Sequence, residues 1–151
     1  MSQTLFNIHI MNHFLLQKGQ RKVFFSALKK GSGEDFDGII TFTHIEVNEG
    51  GGFNKATGRF RAPVAGTYEF GFSAVTGLQR TRNWVAVFKG GSWHHNIYDG
   101  NLAHASNNIG SSWMFKLRRN EEVYLNVAGG KIHCSGADFV HFTGQLLKAD
   151  D

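Results

Sequence analysis

The sequence predicts an all-β domain, and three observations point to that fold class. Short runs in which apolar and polar residues alternate recur from residue 23 onward, with turn residues about every eight to twelve positions. The 151 residues include 19 glycines and one proline, a balance that suits a chain with many tight turns. Fourteen phenylalanines fit the pleated, half-buried surface of a sheet. These patterns leave a sandwich, a barrel and a jelly roll open.

The stretch 53–74 carries the clearest strand signals. Gly58 marks a tight turn, and the short run 59–61 then alternates as a strand does. Pro63 has no backbone N–H, so it predicts the end of that strand or an edge position. After Gly66, alternate apolar side chains fall on one face, which we expect to be a core face: Tyr68, Phe70, Phe72 and Ala74. The stretch therefore predicts a strand, a corner and a second strand.

Two polar segments interrupt the strand pattern, and we predict both as loops: 29–38 and 94–108. The β-branched run 39–47 is predicted as one continuous strand. Gly129-Gly130 is predicted to turn the chain between two short strands, because glycine accepts the positive φ of hairpin turns.

Residues 1–22 stand apart from the rest, and two periods compete there. Leu5 and Ile8 lie at helical spacing, whereas Ile8 and Ile10 alternate as in a strand. A short helix and an extra strand both fit this segment. We expect the segment to pack on its own domain, with an oligomerisation stalk or a partner helix as the alternative.

Charge and cysteine content restrict the classes of partner and site. The net charge of +4 indicates a mild preference for anionic partners such as acidic glycans, phospholipid headgroups or nucleic acid. Cys134 is the only cysteine, so no intrachain disulfide and no C-x-x-C metal site can form, and we expect it to be buried.

The sequence contains few signals that indicate export or catalysis. No apolar run reaches the length of a membrane span, and His9, Asn12 and His13 interrupt the apolar N-terminus, unlike a secretory signal. A mature form, a cytosolic protein and unconventional export therefore stay open. The G-x-S-x-G, H-E-x-x-H, P-loop and G-x-G-x-x-G patterns are all absent, and we expect no enzymatic activity.

Several ordered blocks of sequence resemble one known family. The run FNKATGRFRAPVAGTYEFGFSA resembles the core signature of the complement C1q globular domain. FFSALKK, ITFTHIEVNEGGGFN, NEEVYLNV and FTGQLL resemble further strands of that domain in the same order. The resemblance covers residues 23–148, which leaves 1–22 as an N-terminal segment and 149–151 as a tail.

That resemblance implies a ten-stranded jelly roll related to tumour necrosis factor, a trimer, and extracellular recognition of ligands. The Gly-X-Y collagen stalk of complement is not present before Val23. The chain is therefore similar to stand-alone invertebrate C1q-domain proteins, many of which are lectins or pattern-recognition proteins of innate immunity.

The segment 93–108 is the strongest candidate for ligand binding. It combines aromatic rings with amides and a carboxylate, and sugars stack C–H faces on rings while their hydroxyls bond to such polar groups. An ordinary polar connection is the alternative, since Asn and Asp are also turn residues. The candidate residues of this segment are Trp93, His95, Tyr98, Asp99, Asn101, His104, Asn107 and Asn108.

Metal binding is a second hypothesis for the same segment. The resemblance implies a calcium site near the top of the trimer, and Asp99 and Asn107 are its candidates here. With only one carboxylate, that site is expected to be weak or empty. Zinc on His94, His95 and His104 is less favoured than surface or interface histidines, because adjacent residues of a strand point to opposite faces. No cofactor is required by this interpretation.

Paired arginines form a third set of candidates. Arg80 and Arg82 lie on one predicted turn, and Arg118-Arg119 lies on another. Guanidinium forks suit carboxylate, sulfate or phosphate groups, although a solvated turn is the ordinary alternative.

Together these observations predict a secreted, non-enzymatic, homotrimeric recognition protein that binds carbohydrate or microbial surface patterns, with no nucleic-acid ligand and no membrane span. A tumour-necrosis-factor-like signalling or structural ligand, which binds a protein receptor at grooves between subunits, is the alternative.

Overall fold

The structure is a computed structural model that describes residues 2–18, 21–78, 82–100 and 106–151, with the side chains of 12–18 left aside. In chain order the elements are α1 (Gln3–Lys18), β1 (Phe24–Lys29), β2 (Glu34–Ile39), β3 (His44–Glu49), β4 (Phe53–Asn54), β5 (Arg59–Arg61), β6 (Gly66–Thr76), β7 (Asn83–Lys89), β8 (Ser92–Asp99), β9 (Asn108–Leu117), β10 (Glu122–Cys134) and β11 (Val140–Ala149).

The strands form two antiparallel layers. One layer has the order β3-β1-β11-β6-β9. The other places β8 and β7 on one side of β10, and β2 with the short pair β5-β4 on its other side. The layers meet where Ile132 and His133 of β10 pair with Thr76 and Val75 of β6. This arrangement confirms the predicted all-β jelly roll. The eleven strands of the described residues include β4 and β5, which are only two and three residues long.

An aromatic cluster fills the space between the layers. Phe25 stacks on Phe53 with 4.4 Å between ring centroids and meets Phe142 edge-on at 5.0 Å. Phe60 and Phe70 extend the cluster at 5.6 Å. Each such pair is worth about 0.5–1.5 kcal/mol beyond the area it buries. The core face predicted after Gly66 is confirmed, because its four residues are at most 6% exposed.

Pro63 lies at the predicted corner, after β5 has ended at Arg61. The preceding residue, Ala62, donates its N–H to the carbonyl of Glu121 at 3.0 Å and accepts a bond from the Asn120 N–H at 2.7 Å. Pro63 has no backbone N–H to donate, and it follows directly after these two bonds. The chain therefore leaves the sheet at Pro63 with no ladder hydrogen bond missing.

The prediction that 94–108 is a loop is wrong for its first half. Strand β8 continues to Asp99, and Ile97 pairs with Val85 of β7 while being 3% exposed. The segment resembles a loop in sequence because β8 is an edge strand, and its outward side chains are polar and aromatic. Only residues 100–107 connect β8 to β9, and 101–105 lie outside the described residues.

Other loop and strand predictions were also wrong. Residues 34–39 form β2 against β10 rather than a loop, and 39–47 is interrupted between β2 and β3. Gly129-Gly130 does not end a strand, because β10 runs through both residues with a shift in register. Acidic, glycine-containing strands of this kind carry little of the alternation by which strands are recognised.

The N-terminal segment adopts the helical period as α1. Leu5, Ile8 and Met11 are 60%, 51% and 55% exposed. Contrary to the expectation of packing on the domain, the described side chains of this helix are not buried against the sandwich. No helix within the described residues is long and apolar enough to cross a membrane.

Candidate functional site

Strands β7, β8 and β10 present aromatic side chains on the surface that faces away from the core. Val85 and Val87 of β7 are fully buried, so the alternate residues Trp84 and Phe88 point outward. Phe88 pairs across the strands with Trp93 and with Tyr124, and Trp84 pairs with Tyr98. We call this surface the outer aromatic face; it consists of Trp84, Phe88, Trp93, Asn96, Tyr98 and Tyr124.

The rings of this face differ in exposure. Trp93 is 61% exposed and Tyr98 is 53% exposed, although both belong to β8. The indole Nε1 of Trp93 donates to the side-chain oxygen of Asn96 at 3.0 Å. That bond restrains the exposed ring and places an amide beside it.

The other side of the face is more firmly packed. Phe88 and Tyr124 stack with parallel planes and 5.0 Å between centroids, and the Arg59 guanidinium lies 4.1 Å from the Tyr124 centroid. The Trp84 ring lies directly on the backbone of Gly129, where a Cβ atom would overlap it. Gly129 is therefore part of the support for this face.

The structure brings some predicted site residues together. Trp93 and Tyr98 share the outer aromatic face, which confirms neither as a ligand contact but places both rings on one surface. At the end of β8, Asn107 Nδ2 lies 3.4 Å from Asp99 Oδ2. Asn107 is fixed by reciprocal bonds with Thr76, at 2.8 and 2.9 Å. Asn108 is exposed at the start of β9.

Other predicted site residues lie elsewhere. Arg82 is exposed just before β7, whereas Arg80, Asn101 and His104 lie outside the described residues. His95 points inward, with its ring 5.7 Å from Trp113, and its buried Nε2 has no hydrogen-bond partner among the described residues. His95 is therefore not positioned to meet a ligand on the outer aromatic face.

His94 and His95 do not point to opposite faces of β8, contrary to the prediction from strict alternation. The pairing of β7 with β8 shifts register between Val87 and Phe88, so His94 is an extra residue in β8. As a result both rings approach β9, His94 at 5.7 Å from Phe115.

A C1q domain model matches residues 23–147, most of the chain. The chain belongs to the C1q domain family. It is 31% identical over 124 residues to human complement C1q tumor necrosis factor-related protein 3, covering 82% of this chain and 50% of that protein. It is 28% identical over 122 residues to mouse multimerin-1, covering 73% of this chain and 9% of that protein. The chain thus spans half or less of these relatives.

Solved structures show the same fold. The globular domain of zebrafish complement 1qA aligns with a TM-score of 0.67 and 20% identity, covering 86% of this chain and all of that one. Murine APRIL aligns with a TM-score of 0.54 and 13% identity, covering 82% of this chain and 98% of that one. Trimers are typical of this family.

Within the C1q domain, the described residues contain no group of three or more His, Cys, Asp or Glu side chains able to hold a metal ion. Asp35 lies 2.6 Å from His133, and Asp37 forms an ion pair with Lys131, so these acids are engaged along β2 and β10. Burial raises the pKa of the Cys134 thiol, as does nearby Glu34, which agrees with an inert, buried cysteine.

The sequence reasoning missed Trp84, Phe88 and Tyr124 as parts of a surface of the C1q domain. A signal for them was present, because Trp84 and Phe88 alternate with Val85 and Val87. In sequence, however, both sets are apolar, and nothing in the alternation itself says which set faces the core.

Proposed function

We propose that this C1q domain is a non-enzymatic, extracellular recognition module that binds carbohydrate on its outer aromatic face. The observation that carries the proposal is the pair of exposed rings, Trp93 and Tyr98, on the same side of β8 as Asn96. On this proposal the binding surface is on a strand, whereas the sequence predicted a loop at 94–108.

The chemistry of the face suits sugar rings. The C–H face of a pyranose stacks on an indole or phenol ring, and adjacent hydroxyls pair with the donor and acceptor of an amide. Because Asn96 already holds the Trp93 indole, less side-chain freedom is lost when a ligand binds.

The polar end of β8 adjoins this surface, with Asp99 on the opposite side of the strand from Tyr98. Asp99 and Asn107 lie side by side there and offer a carboxylate and an amide to further hydroxyls. We propose them as secondary contacts, with Asn108 next to Asn107 in sequence and Arg82 next to Asn83, the residue that pairs with Asp99. Calcium is not required by this proposal, since Asp99 supplies the only carboxylate of that pair.

A trimer would strengthen weak binding. Three copies of the face presented together would bind a repetitive microbial surface far more tightly than one copy binds a single sugar. This multivalency supports pattern recognition in innate immunity as the role of the secreted protein.

A signalling ligand is the second candidate. The human relative named above is a tumor necrosis factor-related protein, and APRIL shares the fold. On this alternative the chain would bind a protein receptor at grooves between subunits, and the outer aromatic face would be dispensable.

A glycan array separates the two candidates. We expect several related glycans to bind the wild type, and the double variant W93A/Y98A to bind them about tenfold to a hundredfold more weakly, because two stacking contacts are lost. The variant V47A/L147A is the matched control, since it truncates two exposed apolar side chains on β3 and β11 in the other layer. Melting temperatures of both should stay within about 2 °C of the wild type.

Undiminished binding by W93A/Y98A would show that the outer aromatic face is not the site. A blank array, together with capture of a cell-surface receptor by the wild type, would favour the signalling ligand.

A further inference from the structure

A cleft of about 500 Å³ opens at the end of the outer aromatic face where β8 begins, opposite to the 100–107 connection. Its lining combines Arg59, Arg118 and Arg119 with Asn120, the Gly90-Gly91 turn and two glutamates. Three arginines thus line a cavity of the size that small ligands occupy. We call it the basic cleft.

The turn that carries two of these arginines is held in place. Glu121 donates its N–H to the Arg118 carbonyl at 3.1 Å, and Asn120 has a φ of 70°. A positive φ at the third residue is the arrangement of a type II turn, which favours Gly or Asn there. The bonds between this turn and Ala62 fix it to the buried corner of the domain.

The Gly90-Gly91 turn is joined to the same structure. The Gly90 N–H donates to the carbonyl of Glu122 at 2.9 Å, and the residue has a φ of 58°. The backbone angle therefore favours glycine, and a Cβ atom at Gly90 would lie 2.8 Å from the Glu121 carboxylate, which would have to shift. The walls of the cleft are therefore preorganised.

The charges of the cleft are only partly satisfied within the domain. Arg59 lies over Tyr124 and reaches Glu122 at 3.3 Å. Arg118 touches Glu121 at only 3.5 Å and its side chain is 89% exposed, while Arg119 is exposed as well. Exposed ion pairs of this length contribute little, so these guanidinium groups can turn to a stronger anion.

Glu121, one of the two glutamates of the lining, stabilises the turn. Glu121 Oε1 accepts the Arg118 N–H at 3.1 Å and thereby closes the turn. Burial alone would raise the pKa of Glu121, but that backbone bond, with Lys89 and Arg118, lowers it overall. Glu121 is thus an ionised brace of the turn, and its 3.5 Å contact with the Arg118 guanidinium is the ion pair that an anionic ligand would have to displace.

We propose that the basic cleft binds an anionic substituent, a sulfate ester or a carboxylate, of an acidic polysaccharide. This inference rests on the proposed carbohydrate binding by the outer aromatic face and names its ligand class. Arginine forks make paired, charge-assisted hydrogen bonds to such groups. Arg59 and Arg118-Arg119 would hold the anion from two sides of the cleft.

Continuity with the outer aromatic face favours a glycan over a membrane headgroup. The Arg59 guanidinium covers Tyr124, Tyr124 stacks on Phe88, and Phe88 pairs with Trp93. A sugar chain lying along these rings would bring a substituent into the cleft at its end. A phospholipid headgroup would use the arginines but not the row of rings.

Calorimetric titration with two matched probes tests the proposal. One probe is a chondroitin 4-sulfate hexasaccharide, and the other is the same hexasaccharide after desulfation and carboxyl reduction, which leaves it neutral. We expect the wild type to bind the acidic probe at least about tenfold more tightly, as charge-assisted bonds imply. In R118Q/R119Q that preference should disappear while binding of the neutral probe is unchanged.

The control is K22Q/K148Q, which removes the same two positive charges at exposed positions outside the cleft and should keep the preference. Equal losses in both double variants, or no loss in R118Q/R119Q, would overturn the proposal. Binding of phosphatidylserine vesicles without binding of the acidic probe would overturn it in favour of a membrane.

The outer aromatic face and the basic cleft are tested separately. If W93A/Y98A binds the neutral probe as well as the wild type does, the outer aromatic face is not the site. The preference for the acidic probe, and its loss in R118Q/R119Q, would then still assign the anion to the basic cleft.

Discussion

The stretch 53–74 and strand β8 are both rich in aromatic residues, but the first forms part of the core and the second forms part of the surface. Both contain aromatic residues in alternation, but Phe60, Tyr68 and Phe70 are at most 1% exposed, whereas Trp93 and Tyr98 are more than half exposed. In the first region aromatic rings stabilise the domain by packing on one another. In the second, aromatic rings face solvent, where they add little to folding and where we propose that they contact a ligand.

Truncating one aromatic side chain in each region is expected to give the largest difference in stability. Phe70→Ala should destabilise the domain by about 3–5 kcal/mol, because a fully buried ring is lost from the centre of the aromatic cluster. Trp93→Ala should change the free energy of unfolding by less than about 0.5 kcal/mol. Urea unfolding of the two variants measures both values. Similar values for the two would show that β8 is part of the core.

The difference between the regions also explains what the sequence could predict. The core stretch was predictable because Gly58, Pro63 and Gly66 punctuate it and its polar partners mark the solvent side. The sequence of β8 predicts a loop because its polar and aromatic residues fit a turn-rich connection as well as a strand, and only pairing with β7 decides between the two. The pairing of β7 with β8 forms only in the folded sheet, and a local sequence pattern does not reveal it.

The site was predictable in part for the same reason. Trp93 and Tyr98 stood out as exposed-type aromatic residues, but Trp84 and Tyr124 come from other strands and join them only in the folded sheet. His95 was misplaced because a bulge at His94 reverses the side on which alternation would put it.

Gly129 offers an intermediate test, because it belongs to β10 but supports the outer aromatic face. Gly129→Ala places a methyl group where the Trp84 ring lies, so either the ring or the strand must move. We expect a loss of about 1–3 kcal/mol in stability, together with weaker glycan binding.

Gly136→Ala is the matched control for this test, since no atom lies within 4 Å of its added Cβ. It should stay within about 0.5 kcal/mol of the wild type. A tolerated Gly129→Ala with unchanged binding would show that Trp84 is free to move and is not a fixed part of the face.

The smallest expected effect is the pH dependence of the stability that Glu121 contributes. It tests whether Glu121 holds the turn of the basic cleft in place. The pKa of Glu121 is lowered in the folded domain although burial opposes this, because the Arg118 N–H, Lys89 and Arg118 favour the ionised form. A carboxyl group with a lowered folded pKa adds stability above its unfolded pKa, and that stability is lost as the pH falls through the folded value.

Glu121→Gln should therefore be less stable than the wild type at pH 7. The gap between their free energies of unfolding should narrow as the pH falls below about 4.5. Urea unfolding of both proteins at pH 7 and at pH 3.5 measures the gap, with Glu46→Gln at an exposed position on β3 as the control substitution. A gap that is constant with pH would mean that the ionised carboxylate does not brace the turn, and the arginines of the basic cleft would then lack their fixed support.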